Sequence, residues 1–426
     1  MENKEIEITI RSPLLYLLIL SMVVFFYFEL KVVLPNPISF GDEGFHTSMA
    51  RYIALNKEYP KYIPFEGTNL VRDGFYRPPF WNILTASFFF IFGVSEFLAK
   101  ILTLIITFFL GLSTYLLVRR ISDELTAFLT AILLVSFQSV LTYTVLFYYA
   151  DLLLFFVTLS FFSFLVFVKE GNKKFLFLSS AFASLALLTN QFALTLYAIY
   201  FLYFLYEFLS EKNYLKTIKN YLPAFILLLL IPSGYIVRNI FAYNSPICFS
   251  IPIVGKVFDT SNCKIDKFEE KFKFAGQAIP IGTEATAFSI GLMSYLEFAY
   301  ANTLYTILPF LAGLVLFYLK RDKSSILIFI TLLLFIILLA EIGKGRAEDT
   351  ARYTLGFASF VAFVSAAFYK EFYEFIKKYQ KHLAYILIFF VLAFSFLTAK
   401  SRLDTLYQVK KWDESFFVAC EWIKEN

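Results

Sequence analysis

Apolar blocks about as long as a bilayer is thick alternate along the chain with short polar stretches. A helix needs roughly 20 apolar residues to cross a hydrocarbon core of about 30 Å. Blocks of that order lie at 12–34, 97–118, 124–142, 151–168, 175–190, 192–209, 221–238, 303–319, 324–341, 353–369 and 383–399. Their apolar residues run on rather than recurring at amphipathic spacing, which predicts helices faced by lipid or by other helices. No small-residue cleavage site follows the first block, so it reads as an anchor rather than a removable signal peptide.

A further block, 79–95, is not excluded by length, and charge decides its place. If it does not span and the N-terminus is cytoplasmic, the inside loops are 1–11, 119–123, 169–174, 210–220, 320–323 and 370–382. Those loops hold seventeen lysines and arginines, whereas outside loops 142–150 and 190–192 hold none and 342–352 holds three. A spanning 79–95 would reverse every later loop and the positive-inside bias with it. The expectation is an all-α polytopic membrane protein with eleven transmembrane helices, N-terminus in and C-terminus out, and 79–95 lying at the outer face. The transmembrane domain is expected over 1–400, with long outer loops at 35–96 and 239–302. Residues 401–426 read as a short outer C-terminal segment, the start of a truncated outer domain.

Composition agrees. Of 426 residues, 59% are hydrophobic and 20% aromatic, and mean hydropathy is +0.68. That rules out a disordered chain, a collagen-like fibre and a disulfide-dense secreted domain, and argues against a soluble enzyme. The net charge of +5 comes from basic clusters between apolar blocks, so it does not point to nucleic acid. Three cysteines and two histidines leave no room for a cysteine/histidine zinc site. Cys248 and Cys263 enclose 14 residues in the second outer loop. Their disulfide would contribute about 3 kcal/mol by loop closure; two free thiols are the alternative, and Cys420 would stay unpaired.

Polar residues stand out of place on the predicted outer face. Asp42 and Glu43 precede a stretch, Thr47 to Leu55, that reads as an amphipathic interfacial helix, where a helix N-terminus favours anions. His46 lies four residues after Asp42, so both could point at one cavity; an acidic cap and a solvated histidine are the plain alternative. Asp151 abuts the apolar run Leu152–Val157, either as a helix cap or as a functional carboxylate whose burial is costly. Arg72, Arg77, Arg238, Arg346 and Arg352 sit at the same boundary, with Asn239 beside Arg238 and Tyr353 beside Arg352. Singly they can snorkel to headgroups; converging with three carboxylates, they suit a clamp on a lipid phosphate.

These motifs, in this order, resemble the GT-C glycosyltransferases, in particular the branch of protein mannosyltransferases and aminoarabinose transferases. The resemblance rests on Asp42-Glu43, the spaced Ala50, Pro78-Pro79-Phe80-Trp81 and Phe92-Gly93 with Ser95-Glu96. It continues in Tyr115 to Arg120, Tyr149-Ala150-Asp151, Val237-Arg238-Asn239 with Ser245-Pro246, and Arg352-Tyr353. It is good from about 12 to 250 and thinner beyond. Arg77 stands where the family often has His, and the proline that often follows the Arg-Tyr pair is missing.

The resemblance implies a GT-C fold and transfer of a sugar from a polyprenyl-phosphate carrier, dolichyl or undecaprenyl, to an acceptor hydroxyl on the outer face with inversion. The acceptor is a protein, a lipid or a glycan. Phosphate is a good leaving group, so one base suffices where a glycosidase needs an acid as well. Asp42 is the expected base. Glu43 and Asp151 would orient the acceptor, or a divalent ion (magnesium or manganese) where one binds. No catalytic metal or other cofactor is expected to be required, although the sister oligosaccharyltransferase branch is metal-dependent. His46, Arg77, Arg238, Asn239, Arg352 and Tyr353 are the expected substrate-binding residues, and the arginines would offset charge on the departing phosphate. The competing readings are a glycan polymerase or ligase using a lipid-linked oligosaccharide, a transporter or flippase of lipid-linked sugars, and a structural subunit. A transporter would place charge at mid-membrane, often in broken helices or inverted repeats, and neither an internal repeat nor mid-span charge is prominent.

Overall fold

The computed structural model describes residues 12–34, 41–59, 63–64, 71–72, 78–211, 214–243, 304–342 and 355–425. Over those residues ten of the eleven apolar blocks each coincide with one helix, and the block 124–142 with two. In chain order the helices are α1 (Pro13–Val33), α2 (Gly41–Asn56), α3 (Phe80–Phe92), α4 (Glu96–Ile121), α5 (Glu124–Ser136), α6 (Gln138–Val145) and α7 (Ala150–Glu170). There follow α8 (Lys173–Thr189), α9 (Leu194–Ser210), α10 (Tyr214–Tyr243), α11 (Leu304–Lys320), α12 (Lys323–Ile342), α13 (Ala358–Tyr379) and α14 (Lys381–Glu425). Between α2 and α3, strands β1 (Ile63–Pro64) and β2 (Val71–Arg72) pair antiparallel, with Ile63 opposite Arg72.

The protein is a multi-pass membrane protein. Among the described residues seven helices, α1, α4, α7, α9, α10, α13 and α14, are long and apolar enough to cross a membrane, where the sequence predicts eleven. The block 124–142 proves to be two helices, α5 and α6, bent by 57° into one broken span. Phe137, at φ −58° and ψ 133°, leaves the helical region and makes the break. Helices α8, α11 and α12 occupy the other three predicted blocks. Helix α3 has 13 residues, about 20 Å at 1.5 Å per residue, which is short of a hydrocarbon core. Helix α14 continues without a break past residue 400 to Glu425.

Helix ends follow local chemistry. Asp123 caps α5 by accepting from Thr126 N at 2.9 Å, and Asp322 caps α12 by accepting from Ser325 N at 2.7 Å. Gly171, at φ +69°, ends α7 in the left-handed conformation that glycine tolerates, and Asn172 caps α8 one residue later.

Helix α7 is the axis of the bundle, with 89% of its apolar window buried. Phe164 stacks on Tyr200 of α9 with centroids 4.2 Å apart, and Phe162 meets Phe363 of α13 edge-on at 5.6 Å. Some polar atoms here pair across helices, as is favourable away from water. Ser160 hydrogen-bonds both the Ser179 carbonyl and the Tyr200 hydroxyl. Gly313 lets α11 lie directly on α13, since a Cβ there would strike the Val364 carbonyl. The faces turned away, such as Phe389, Phe390 and Leu397 of α14, are exposed and apolar, as lipid-facing surfaces are. With α7 central, whatever stands at its N-terminus is enclosed on all sides.

Candidate active site

The site is built at the end of the bundle where α7 begins. Helix α2 lies over that end, and its first turn carries Asp42 and Glu43. Glu43 is fully buried, and its Oε1 accepts the Phe147 N–H at 2.7 Å. That bond pins α2 to the loop between α6 and α7. Rings close the same joint, with Trp81 of α3 lying 4.9 Å from Phe147. The backbone of Asp42 is described within α2, while its side chain lies outside the described residues, so the shared cavity expected for Asp42 and His46 lies there too.

His46, one turn along α2, is buried, with Nδ1 2.8 Å from Asn82 Oδ1 of α3. Asn82 Nδ2 donates to Met49 Sδ at 3.1 Å, which turns the amide oxygen toward the imidazole and makes Nδ1–H the donor. The solvated histidine weighed from sequence is therefore a packed one. Tyr148 and Tyr149 meet its ring edge-on at 5.8 and 5.7 Å.

Asp151 is the second residue of α7 and fully buried. Tyr149 holds the cap position, no side chain caps the helix, and neither Asp151 oxygen has a hydrogen bond of good geometry. Asp151 therefore does not cap α7. Its polar neighbours are Thr144 of α6 and Glu29 of α1. Thr144 is itself fixed, its Oγ1 3.0 Å from Thr107 Oγ1 and its carbonyl accepting from Thr103 Oγ1 at 2.7 Å.

Cations reach the site from two directions. Arg238, near the end of α10, places its guanidinium 4.8 Å from the Tyr59 ring centroid, a cation–π contact. Burial pushes the Tyr59 hydroxyl up to about 12, against the opposing pull of the Asn82 hydrogen bond and the Arg238 charge. Arg238, Tyr59, Asn82 and His46 thus form one connected set, and Asn239 beside it is completely buried. From the other side Arg402 of α14 donates through Nε to Thr142 Oγ1 of α6 at 3.0 Å. Tyr143, next along, packs against Tyr148 at 6.0 Å.

The structure therefore gathers Glu43, His46, Asp151, Arg238 and Asn239 at one end of the bundle. Arg77, Arg346, Arg352, Tyr353, Cys248 and Cys263 lie outside the described residues, as do the side chains of Arg72 and Cys420. Three residues absent from the sequence reading join the site or its margin. Glu29 and Lys100 are 3% and 1% exposed; each is an ionisable residue within a predicted span, and that cost was the available signal. Arg402 gave no such signal, because it lies beyond the apolar block and only the unbroken course of α14 brings it to α6. Among the described residues no three His, Cys, Asp or Glu side chains are grouped to hold a metal ion.

Residues 76–236 match the family model described as dolichyl-phosphate-mannose-protein mannosyltransferase. No curated protein matches the chain by sequence. Among solved structures, the fold is similar to that of the Archaeoglobus fulgidus oligosaccharyltransferase in complex with zinc and sulfate, with a TM-score of 0.64 at 16% identity over 90% of this chain and 52% of that one. The same organism's AglB, in complex with an inhibitory peptide and a dolichol-phosphate, gives 0.60 at 14% identity over 93% and 56%. ArnT from Cupriavidus metallidurans bound to undecaprenyl phosphate gives 0.55 at 12% identity over 83% and 60%. The chain spans about half the length of the oligosaccharyltransferase it matches.

Proposed function

We propose that the chain is a membrane glycosyltransferase of the GT-C superfamily and that it moves a sugar from a polyprenyl phosphate to an acceptor hydroxyl. The observation that carries this is the enclosure of Glu43, Asp151 and Glu29 at one end of the bundle with Arg238 and Arg402 at its margins. Two neighbours of the same fold, held at low identity, are bound to undecaprenyl phosphate and dolichol-phosphate; the donor class is supported by that and by the match over 76–236.

In the proposed reaction the acceptor oxygen attacks the anomeric carbon while Asp42 takes its proton. The bond from that carbon to the phosphate oxygen breaks with inversion, and the polyprenyl phosphate leaves with both electrons. Glu43 is a positioning residue: with one oxygen on Phe147 N–H, it sets the loop that delivers Asp151. Asp151, with Thr144 beside it and neither oxygen in a hydrogen bond of good geometry, is available to the acceptor. Arg238 and Arg402, with Arg352 from the sequence, offset charge on the departing phosphate, worth about 3–4 kcal/mol when donors are preorganised. Where a divalent ion binds, Glu43 and Asp151 would help to hold it, and no step is routed through it.

The active site is proposed to face outward, on the positive-inside count. The test supplies radiolabelled polyprenyl-phosphate sugars and a membrane extract to the wild type and to Asp42→Asn in lipid. Transfer by the wild type, lost in a variant that still binds carrier, is the expected result. Equal transfer by both removes Asp42 as base. Movement of lipid-linked sugar between leaflets without transfer makes the chain a transporter.

A further inference from the structure

At the end of the bundle opposite Asp151, a cleft of about 350 Å³ opens between the α4–α5 turn, α7, the α11–α12 turn and α13. Three lysines from three elements reach it, Lys169, Lys320 and Lys370. Lys169 donates to the Ile121 carbonyl at the end of α4 at 2.5 Å, a partner that carries no formal charge. Lys320 and Lys370 share one carboxylate, Glu371, at 3.6 and 3.3 Å. The other two acids of the cleft, Asp123 and Asp322, are turned to the N-termini of α5 and α12 as caps. Equal formal counts of lysines and acids therefore conceal an uneven pairing, because two of the acids are held by backbone amides and the three lysines have one free carboxylate between them.

The cleft walls are of two kinds. Charged groups line its mouth, whereas Leu165, Phe317, Phe363 and Ala367 line the side toward the bundle. A free anion would gain nothing from the apolar wall, but a phospholipid would set its phosphate among the lysines and its glycerol and first methylenes along that wall. At about 30 Å³ per water, the cleft holds roughly a dozen waters or one headgroup. Basic pockets between transmembrane helices are suited to anionic headgroups.

We propose that this cleft binds the headgroup of an anionic phospholipid, remote from the sugar-transfer site and independent of it. The full-length protein is reconstituted in nanodiscs of phosphatidylcholine with graded phosphatidylglycerol, and retained phosphatidylglycerol is counted by native mass spectrometry. With each lysine contributing about a fivefold factor, K169Q/K320Q/K370Q is expected to weaken retention about a hundredfold, and the corresponding triple arginine variant to keep it. K377Q/K378Q removes basic charge farther along α13, outside the cleft, and is expected to change nothing. If the triple glutamine variant does not fold, K320Q alone, at a side chain 51% exposed, is expected to show the single fivefold loss. Equal retention by wild type and the lysine variants overturns the proposal, as does an equal loss in K377Q/K378Q, which would show a diffuse surface effect. Displacement of phosphatidylglycerol by inorganic phosphate at matching concentration would make the cleft a phosphate site and overturn the assignment to lipid.

Discussion

Asp151→Asn separates a working carboxylate from a structural one. Both Asp151 oxygens are buried without a hydrogen bond of good geometry, with Thr144 and the acid Glu29 as neighbours. An unsatisfied buried polar group costs about 1–3 kcal/mol, and more when charged. Against this, a carboxylate in the first turn gains about 0.3–1 kcal/mol from the helix dipole. Asparagine keeps the volume, removes the acid beside Glu29 and forfeits the dipole gain. Its amide is as buried as the carboxyl it replaces and bears the same unsatisfied-group cost, so stability is expected to stay within about 1 kcal/mol. If Asp151 orients the acceptor, transfer falls at least about a hundredfold, which is about 2.7 kcal/mol on the barrier. Thermal unfolding in nanodiscs and radiolabelled transfer on one preparation read both quantities. A variant destabilised by more than 1 kcal/mol on that scale but fully active would refute the reasoning, because Asp151 would then be a structural group with partners.

Three further outcomes follow from particular contacts. Arg402→Gln keeps a donor for Thr142 but removes the charge, so turnover is expected to fall about tenfold or more with the melting temperature unchanged; equal loss in both would make Arg402 structural. Tyr59 holds its proton to about pH 12 in the folded state against about 10 when unfolded. The unfolded chain therefore releases that proton first, and stability present below pH 10 falls by about 2–3 kcal/mol as pH rises to 12; Tyr59→Phe, followed by alkaline unfolding, is expected to remove this slope. Gly313→Leu forces α11 off the Val364 backbone and is expected to cost about 1–3 kcal/mol, whereas the same change at Gly234, where a Cβ meets nothing within 4 Å, is expected to leave thermal unfolding unchanged.

How much of this was legible beforehand depends on the physics behind each feature. The helices were, because hydrocarbon has no hydrogen bonds to offer and a chain that enters it must bond its own backbone within each segment. So were Glu43, His46 and Asp151, since a polar residue beside apolar runs is costly enough to attract notice. The bend at Phe137 was not, because no proline or glycine marks it and backbone torsions alone make it. Nor was the identity of the Glu43 partner, a main-chain amide 104 residues away, which any residue type could have supplied. Glu29 was hidden by averaging, one acid within a long apolar block.

The sequence by itself determined that the chain lives in a membrane, which segments are helical and at which level its charges lie, because those are one-dimensional properties of hydropathy and length. Only the tertiary structure decided which charges meet. Glu29, Glu43, Asp151, Arg238 and Arg402 come from five helices, and their convergence depends on the order in which those helices pack about α7. Packing is fixed by side-chain fit, as at Gly313, and by bonds such as that from Phe147 to Glu43. No periodicity along the chain encodes either.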